Sequence, residues 1–279
     1  MTPPPSPEPQ AIPDAIPEPP LTQWADAIEA RFPTRHGRVE VYASTTSTQD
    51  AARRRVTADP HHAHGLVVTT GHQTAGRGRL GRQWSAPGDT CLTLSAAYRL
   101  GDLPADRLSF ATSVALAETL DDSLRHVNQT ATIKWPNDIY VAGQKIAGIL
   151  VEQANGVAII GIGININTSR EAFPSALRHP ATSLTLCGAH THRLNVLLHL
   201  LPRLDHALKD RPLQDLLTAW RQRSTLLAQS IRFAHNGESI TGHVIDLDPQ
   251  AGLIVRRNSG ELIHLPAATT SVMDPQKDT

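Results

Sequence analysis

The stretch Gly71-His-Gln-Thr-Ala-Gly-Arg-Gly-Arg-Leu-Gly-Arg-Gln-Trp84 narrows the fold of this chain more than any other. Gly76, Gly78 and Gly81 interleave with Arg77, Arg79 and Arg82. Glycine lets a backbone take positive φ and approach a ligand closely, and arginine supplies permanently charged planar donors for phosphate or carboxylate. Together they predict a mobile cationic loop that closes over an anionic ligand, and so nucleotide chemistry. Gly76-x-Gly78-x-x-Gly81 carries the letters of the dinucleotide fingerprint, with Asp102 spaced like its ribose acid. That fingerprint must open a helix directly after a strand. Here the apolar run Leu66-Val-Val68 ends well before Gly76, and Arg82-Gln-Trp-Ser-Ala-Pro-Gly88 cannot start a regular helix. Gly76-x-x-x-x-Gly81 also begins a Walker A, but Arg82-Gln83 stands where Lys-Ser/Thr is required. Both nucleotide folds fail on context, leaving a different nucleotide site or a solvated arginine-rich loop.

Composition bounds the alternatives. The chain of 279 residues can hold one large domain and a small one. Lys+Arg and Asp+Glu balance at 26 each, so no global field favours nucleic acid or membrane and the loop's charge is local. Cys91 and Cys187 stand far apart without metal spacing, which suits a reducing, cytoplasmic compartment. No run has the apolar length of a membrane helix, and the N-terminus lacks the signature of a signal peptide. His61-His62-x-His64 lies between Pro60 and Gly65 and reads as exposed loop.

Residues 1–20 hold nine of the 21 prolines and are expected to form a disordered or polyproline-like tail. A first helix is predicted over Thr22–Phe32, and a second after Ser47, which stands in capping-box relation to Asp50. Strands read at Leu66–Thr70 and Cys91–Tyr98, and a long helix from about Pro104 to Val127. A meander follows: Thr132–Trp135, Ile139–Val141, Lys145–Gln153 and Val157–Asn167, with Asn155-Gly156 as a hairpin turn. Leu194–Lys209, with a kink at Pro202, and Leu213–Arg223 read as closing helices. From Leu227 the pattern is all short strands: Ile231–Ala234, Ser239–Leu247, Leu253–Arg257 and Glu261–Leu265. The expected division is a tail at 1–20, a catalytic domain at 21–226 and a small β domain at 227–279.

Alternation within the meander indicates a cleft. Ile160, Ile162, Ile164 and Ile166 make one face of the last strand apolar, while Gly161, Gly163, Asn165 and Asn167 strip the other of bulk and line it with amides. Two glycines on one face of a strand suggest that something approaches there, read here as a ligand in preference to a close-packed helix or a sheet bend. Lys145 shares the parity of Ala147, Ile149 and Val151, so it either snorkels at the strand end or meets a buried anion. Lys134-Trp135-Pro136-Asn137-Asp138 joins two strands through a cation, a rigid turn and two polar groups. An arginine loop, two strand-borne lysines and an amide-lined face suit a polyphosphate with a leaving pyrophosphate.

As a set these residues resemble the biotin–protein ligases. The resemblance rests on Ser47-Thr48-Gln49, Gln73 with the Gly76–Trp84 loop, Lys134-Trp-Pro-Asn-Asp138, Lys145-x-x-Gly148-Ile-Leu-x-Glu152 and Gly161-x-Gly-x-Asn165, in order across residues 44 to 167. Gln49 departs from the family's usual Asn, and nothing before residue 21 could form the repressor domain that some members carry. The resemblance implies an α+β fold. Its core is a mixed-sheet catalytic domain related to class II aminoacyl-tRNA synthetases and lipoate ligases, followed by a small C-terminal β-barrel. It implies a two-step ligase that uses ATP and biotin, with Mg2+, to make biotinyl-5′-AMP and then biotinylate a lysine of a biotin carboxyl carrier domain. By the same resemblance, Lys145 serves the reacting carboxylate and α-phosphate, with Arg79 as its catalytic companion. Ser47, Thr48, Gln49, Gln73, Gly76, Arg77, Gly78, Arg79, Lys145 and Gly148 bind biotin. Arg79, Arg82, Trp84, Lys134, Asn137, Lys145 and Asn165 bind ATP, and Asp138 is an accessory or turn residue. No dedicated metal ligand is assigned, and neither DNA nor membrane is an expected partner; a homodimer is compatible with the pattern. The alternatives are lipoate-type acyl transfer and, against the zero net charge, a nucleic-acid-binding regulator.

Overall fold

The computed structural model describes residues 18–35, 38–99, 105–175, 177 and 179–273. Residues 1–17 of the proline-rich segment, and Pro104 at the expected helix start, lie outside the described residues. The first unit is one sheet built from β1 (Val39–Thr45), β2 (Val67–Gln73), β3 (Cys91–Tyr98), β4 (Thr132–Lys134), β5 (Asp138–Val141), β6 (Gln144–Ala154) and β7 (Val157–Asn165). Their order across the sheet is β1-β2-β3-β7-β6-β5-β4. β1 and β2 pair in parallel and every other neighbour is antiparallel, so the sheet is mixed.

The helices are α1 (Trp24–Arg31), α2 (Thr48–Ala58), α3 (Ala105–Leu124), α4 (Arg193–Lys209) and α5 (Leu213–Arg223). α3 buries Leu108, Ala111, Ala115, Leu116, Leu120 and Leu124, the stripe expected of a 3.6-residue period. With α4 it covers the sheet face that carries Leu92, Leu94, Ile160, Ile162 and Ile164. α2 covers part of the other face, seating Ala51, Ala52 and Val56 on Val68, Ala97 and Ile159. It reaches β2, β3, β7 and the Glu152 end of β6, and leaves the rest of that face of β5, β6 and β7 free for a cavity.

The second unit is an antiparallel sheet of β8 (Ser230–His235), β9 (Glu238–Asp248), β10 (Gly252–Arg257), β11 (Leu262–Leu265) and β12 (Thr270–Val272). Its order is β11-β10-β9-β8-β12. The sheet is the expected C-terminal β unit, but among the described residues it is not a closed barrel. β11 and β12 end the ladder on opposite sides, and no pairing joins them. The segment leading into it is held by the Thr225 N–H donating to the Ile133 carbonyl at 3.0 Å, and the unit itself is joined to the core by a two-pronged Arg221–Asp246 pair. Among the described residues no helix is long and apolar enough to cross a membrane.

Candidate active site

Two cavities lie on the free face of β6 and β7, under the arginine-rich loop. The first, about 150 Å³, is walled by Thr48, Gln49, Gly161 and Gly163, by the loop, and by Ser271 and Val272 of the second unit. The second, about 640 Å³, runs past Gly76, Asn165 and Phe173. They share Gln73, Arg82, Trp84, Asp138, Lys145 and His179 as common walls. Sites for drug-sized ligands run from roughly 300 to 1,000 Å³, so the first cavity must widen to take one.

The two strand glycines are explained by what covers them, and it is protein. A Cβ on Gly163 would collide with the Trp84 indole, and one on Gly161 would meet Gln49 Oε1 at 2.5 Å. Trp84 also leans on Gly148, and its buried Nε1–H has no hydrogen-bond partner. The strand face thus seats an aromatic wall and an amide floor, and the ligand space lies beside them.

α2 delivers the floor. Ser47 caps the helix, its Oγ accepting from the Gln49 N–H at 3.2 Å. Capping was expected; the reciprocal role for Asp50 was also expected and does not occur, because Arg77 takes its carboxylate at 2.7 Å. Gln73 Oε1 accepts from the Thr48 N–H at 2.8 Å, which turns Gln73 Nε2 toward Gly76 and the loop. Gln49 spends its whole amide on protein: Oε1 accepts from Ser95 Oγ at 3.0 Å, and Nε2 donates to Glu152 Oε2 and the Ile159 carbonyl, each at 3.0 Å. It shapes the pocket rather than offering it a free donor.

Lys145 is placed by a fault in the ladder. Tyr140 pairs with Lys145 and Ile139 with Ala147, so β6 carries one extra residue, Ile146. Such a bulge breaks strict alternation and re-aims a side chain. Lys145 therefore leaves the apolar row predicted by parity and lies beside Gly148, within 3.4 Å of where a Cβ there would stand. Its Nζ meets Asp138 Oδ1 at 2.7 Å and lies 5.6 Å from the centre of the Trp84 ring. Of the two sequence readings, the meeting with an anion describes it, and the anion is Asp138. Lys134 stacks its ammonium over Tyr140 at 5.2 Å and borders the first cavity. Asn137 donates to the Ile149 carbonyl at 2.6 Å. Asn165 borders the second cavity with its amide engaged, Nδ2 donating to the Thr182 carbonyl at 2.9 Å and Oδ1 accepting from the Cys91 thiol at 3.5 Å. Burial pushes that thiol's pKa up, which suits a packed and unreactive Cys91.

The loop is folded as a short hairpin. Gly78 donates to the Arg82 carbonyl at 2.7 Å and Trp84 to the Gly76 carbonyl at 3.0 Å. Gly76 is pressed against the Trp84 backbone where no Cβ fits, and Gly81 takes φ +72°. Two of its three arginines are already engaged by protein groups. Arg77 pairs with Asp50 and Glu152, while Arg79 donates to Asn137 Oδ1 at 3.3 Å and to the Ala267 carbonyl. Arg82 stays exposed on the walls of both cavities. The sequence reading assigned no role to Ser95, Glu152, His179, Ser271 or Val272. Ser95 and the three-residue β12 carry no local signal, whereas Glu152 stands in a quoted motif and was legible as a conspicuous carboxylate.

Comparison with known proteins agrees with this geometry. The family described as "Biotin/lipoate A/B protein ligase family" matches residues 41–169, which run from β1 past the end of β7. The biotin–acetyl-CoA-carboxylase ligase of Mycobacterium tuberculosis is 30% identical over 244 residues, covering 81% of this chain and 89% of the relative. That of Paracoccus denitrificans is 31% identical over 213 residues, covering 72% and 88%. Among solved structures, the biotin protein ligase of Aquifex aeolicus in complex with biotin and ATP superposes with a TM-score of 0.71 at 25% identity, covering 85% of this chain and 99% of that one. With the mixed sheet, the loop and the order of its motifs, these likenesses show that the chain belongs to the biotin–protein ligases of the biotin/lipoate A/B protein ligase family.

Proposed function

We propose that the chain activates biotin with ATP as biotinyl-5′-AMP and transfers the biotinyl group to a lysine of a biotin carboxyl carrier domain of a carboxylase. The observation that carries the reading is Lys145: a bulge-aimed cation, paired with Asp138, on the wall common to two cavities beneath a loop of arginines. One cavity is then for biotin and the other for the nucleotide, and their seam is where the two reacting anions meet.

In the first step a biotin carboxylate oxygen attacks the α-phosphorus, the bond to the bridging oxygen of pyrophosphate breaks, and pyrophosphate leaves. Two anions must approach, so Lys145 exchanges its pairing with Asp138 for the carboxylate and α-phosphate as charge develops there. Arg79 and Arg82 face the phosphates, with Lys134 and Asn137 beside them, while Asn165 braces the wall on the nucleotide side. Ser47, Thr48 and Gln73 hold the biotin head over the floor made by Gln49 and Gly148, and the turned Gln73 Nε2 supplies a donor. Gly76, Arg77 and Gly78 carry the loop across the mouth, and Trp84 walls the site. In the second step the carrier amine attacks the acyl carbon, AMP leaves, and the amide forms. Positioning and water exclusion supply much of the acceleration.

Among the described residues Asp138 is the sole carboxylate on the walls of the two cavities. Mg2+ fits as the counter-ion that ATP brings, held chiefly by phosphate and water as this ion commonly is. The reading also takes the protein as cytoplasmic and as independent of DNA. Biotin-dependent exchange of labelled pyrophosphate into ATP, run beside lipoate, tests the first step. The mass of a carrier domain incubated with enzyme, ATP and biotin tests the second. Exchange with lipoate and not biotin would overturn the assignment.

A further inference from the structure

The loop crosses the mouth of the first cavity as a strap fastened at both ends. On one side Arg79 reaches Asn137 and the Ala267 carbonyl. On the other, Arg77 is gripped by two carboxylates that do not line the cavity: Asp50 Oδ1 at 2.7 Å, from the first turn of α2, and Glu152 Oε1 at 2.7 Å, from β6. Glu152 is the hub of this end. Its Oε2 receives Arg77 Nη1 at 3.3 Å, Gln49 Nε2 at 3.0 Å and Arg53 at 3.0 Å. Burial alone would push its carboxyl up, but the bonds from Arg53 and Gln49 and the charge of Arg77 outweigh burial and hold it below the usual carboxylate range.

We infer that Glu152, seconded by Asp50, is a positioning residue that latches Arg77, closing the strap over the adenylate so that the intermediate is kept until the carrier arrives. The inference rests on the biotin-ligase reading and extends it to residues that touch neither substrate. The chemistry asks for such a latch. Biotinyl-5′-AMP is an activated acyl group that water or any amine will consume, so it must be sheltered, yet the carrier lysine must later reach it. A covalent or deeply buried closure would bar the lysine. Half-exposed ion pairs are weak and salt-sensitive, so the closure they make is reversible. Arg77 and Asp50 are 38% and 36% exposed, and Glu152 is 18% exposed. The tether from Glu152 to Gln49 also ties the strap to the pocket floor, so the latch has a fixed seat.

The test compares wild type, Glu152→Gln, Asp50→Asn and Arg53→Ala. Labelled adenylate is formed on each enzyme and chased with excess unlabelled biotin, and labelling of a bystander protein such as serum albumin is followed. Glu152→Gln keeps an oxygen for Gln49 but loses the charge that holds Arg77. It is expected to release adenylate about fivefold faster, the factor one such ion pair supports, and to label albumin more. Its pyrophosphate exchange should stay within about twofold of wild type, because the residue touches no reacting atom. Asp50→Asn should leak in the same direction. Arg53→Ala removes a partner of Glu152 that is not part of the strap and should not leak. Raising salt should increase leakage of the wild type more than that of Glu152→Gln, in which only the Asp50 pair remains to be screened. Retention of adenylate by Glu152→Gln equal to wild type overturns the inference, as does a parallel loss of exchange and thermal stability without leakage. If Glu152→Gln fails to fold, Asp50→Asn decides by the same readout. Wild type with no biotin-dependent exchange would instead defeat the ligase reading, a distinct outcome.

Discussion

Lys145 and Asp138 make a pair whose value changes when substrate arrives. At rest the carboxylate neutralises the lysine at 2.7 Å. With two substrate anions present, the same ammonium is drawn toward the charge that develops between them. Lys145→Ala is therefore expected to lower pyrophosphate exchange by roughly 10²–10³-fold, the size found when a transition-state charge partner is lost, with only a small fall in Tm. Near-normal exchange in this variant would make Lys145 a structural strand-end lysine. Gly163 makes the complementary case. Gly163→Ala should drive the Trp84 indole from its seat and cost about 1–3 kcal/mol of stability, as overpacking does, with a change in indole fluorescence that reports the displacement. The glycine pair on this strand was legible as a place of close approach, read there as a ligand's. That the occupants are Trp84 and Gln49 was not, because alternation shows which side is stripped of bulk and not which distant side chain fills it.

Elements were legible where a period runs long enough. The stripe of α3 and the isoleucine row of β7 follow directly from spacing, and their observed ends differ from the expected ones by no more than a few residues. β1 escaped notice although Val39, Val41 and Ala43 alternate with Glu40, Tyr42 and Ser44; as an edge strand beside α1, it carries a mixed face. β12 is three residues long and exists only because β8 pairs with it. The bulge in β6 is illegible for a deeper reason: it is a mismatch between two strands, and neither strand contains it alone. α2 was read correctly from its cap, and the cap can be tested. Ser47→Ala should cost about 1 kcal/mol in urea unfolding and weaken biotin binding as well, because the same helix end positions Thr48 and Gln49. A loss of affinity with unchanged stability would mean that Ser47 serves the ligand and not the helix.

At the scale of the molecule, the site depends on segments remote in sequence being fastened to one sheet. The loop meets Ala267 of the second unit, and β12 supplies part of the cavity wall, so the C-terminal sheet completes the site as well as the fold. The opposite end of the chain is fastened too. A proline-dense stretch lacks apolar surface to bury, which motivated a tail ending at residue 20. Yet Glu18 receives Arg193 Nη2 at 2.6 Å, Nε at 2.9 Å and the Arg193 backbone N–H at 2.6 Å, while Trp24 Nε1 donates to the Pro19 carbonyl at 3.0 Å. Composition could not show this, because a single carboxylate among prolines does the fastening. Arg193 is 4% exposed and begins α4; its other carboxylate partner, Asp89, is 76% exposed at 3.2 Å. Removing Glu18 leaves a buried guanidinium with a poor counter-charge. Deletion of residues 1–17 should therefore leave Tm and carrier labelling unchanged. Deletion of residues 1–20 should cost about 3 kcal/mol, the lower end for stripping one partner from a buried pair, and so lower Tm by roughly 6–12 °C in a protein of this size. Glu18→Gln in the full chain should fall between the two, since it keeps one oxygen acceptor but loses the other and the charge. Equal melting of both truncations, measured by differential scanning calorimetry, would show that the Glu18–Arg193 contact carries no weight and would return the boundary to residue 20.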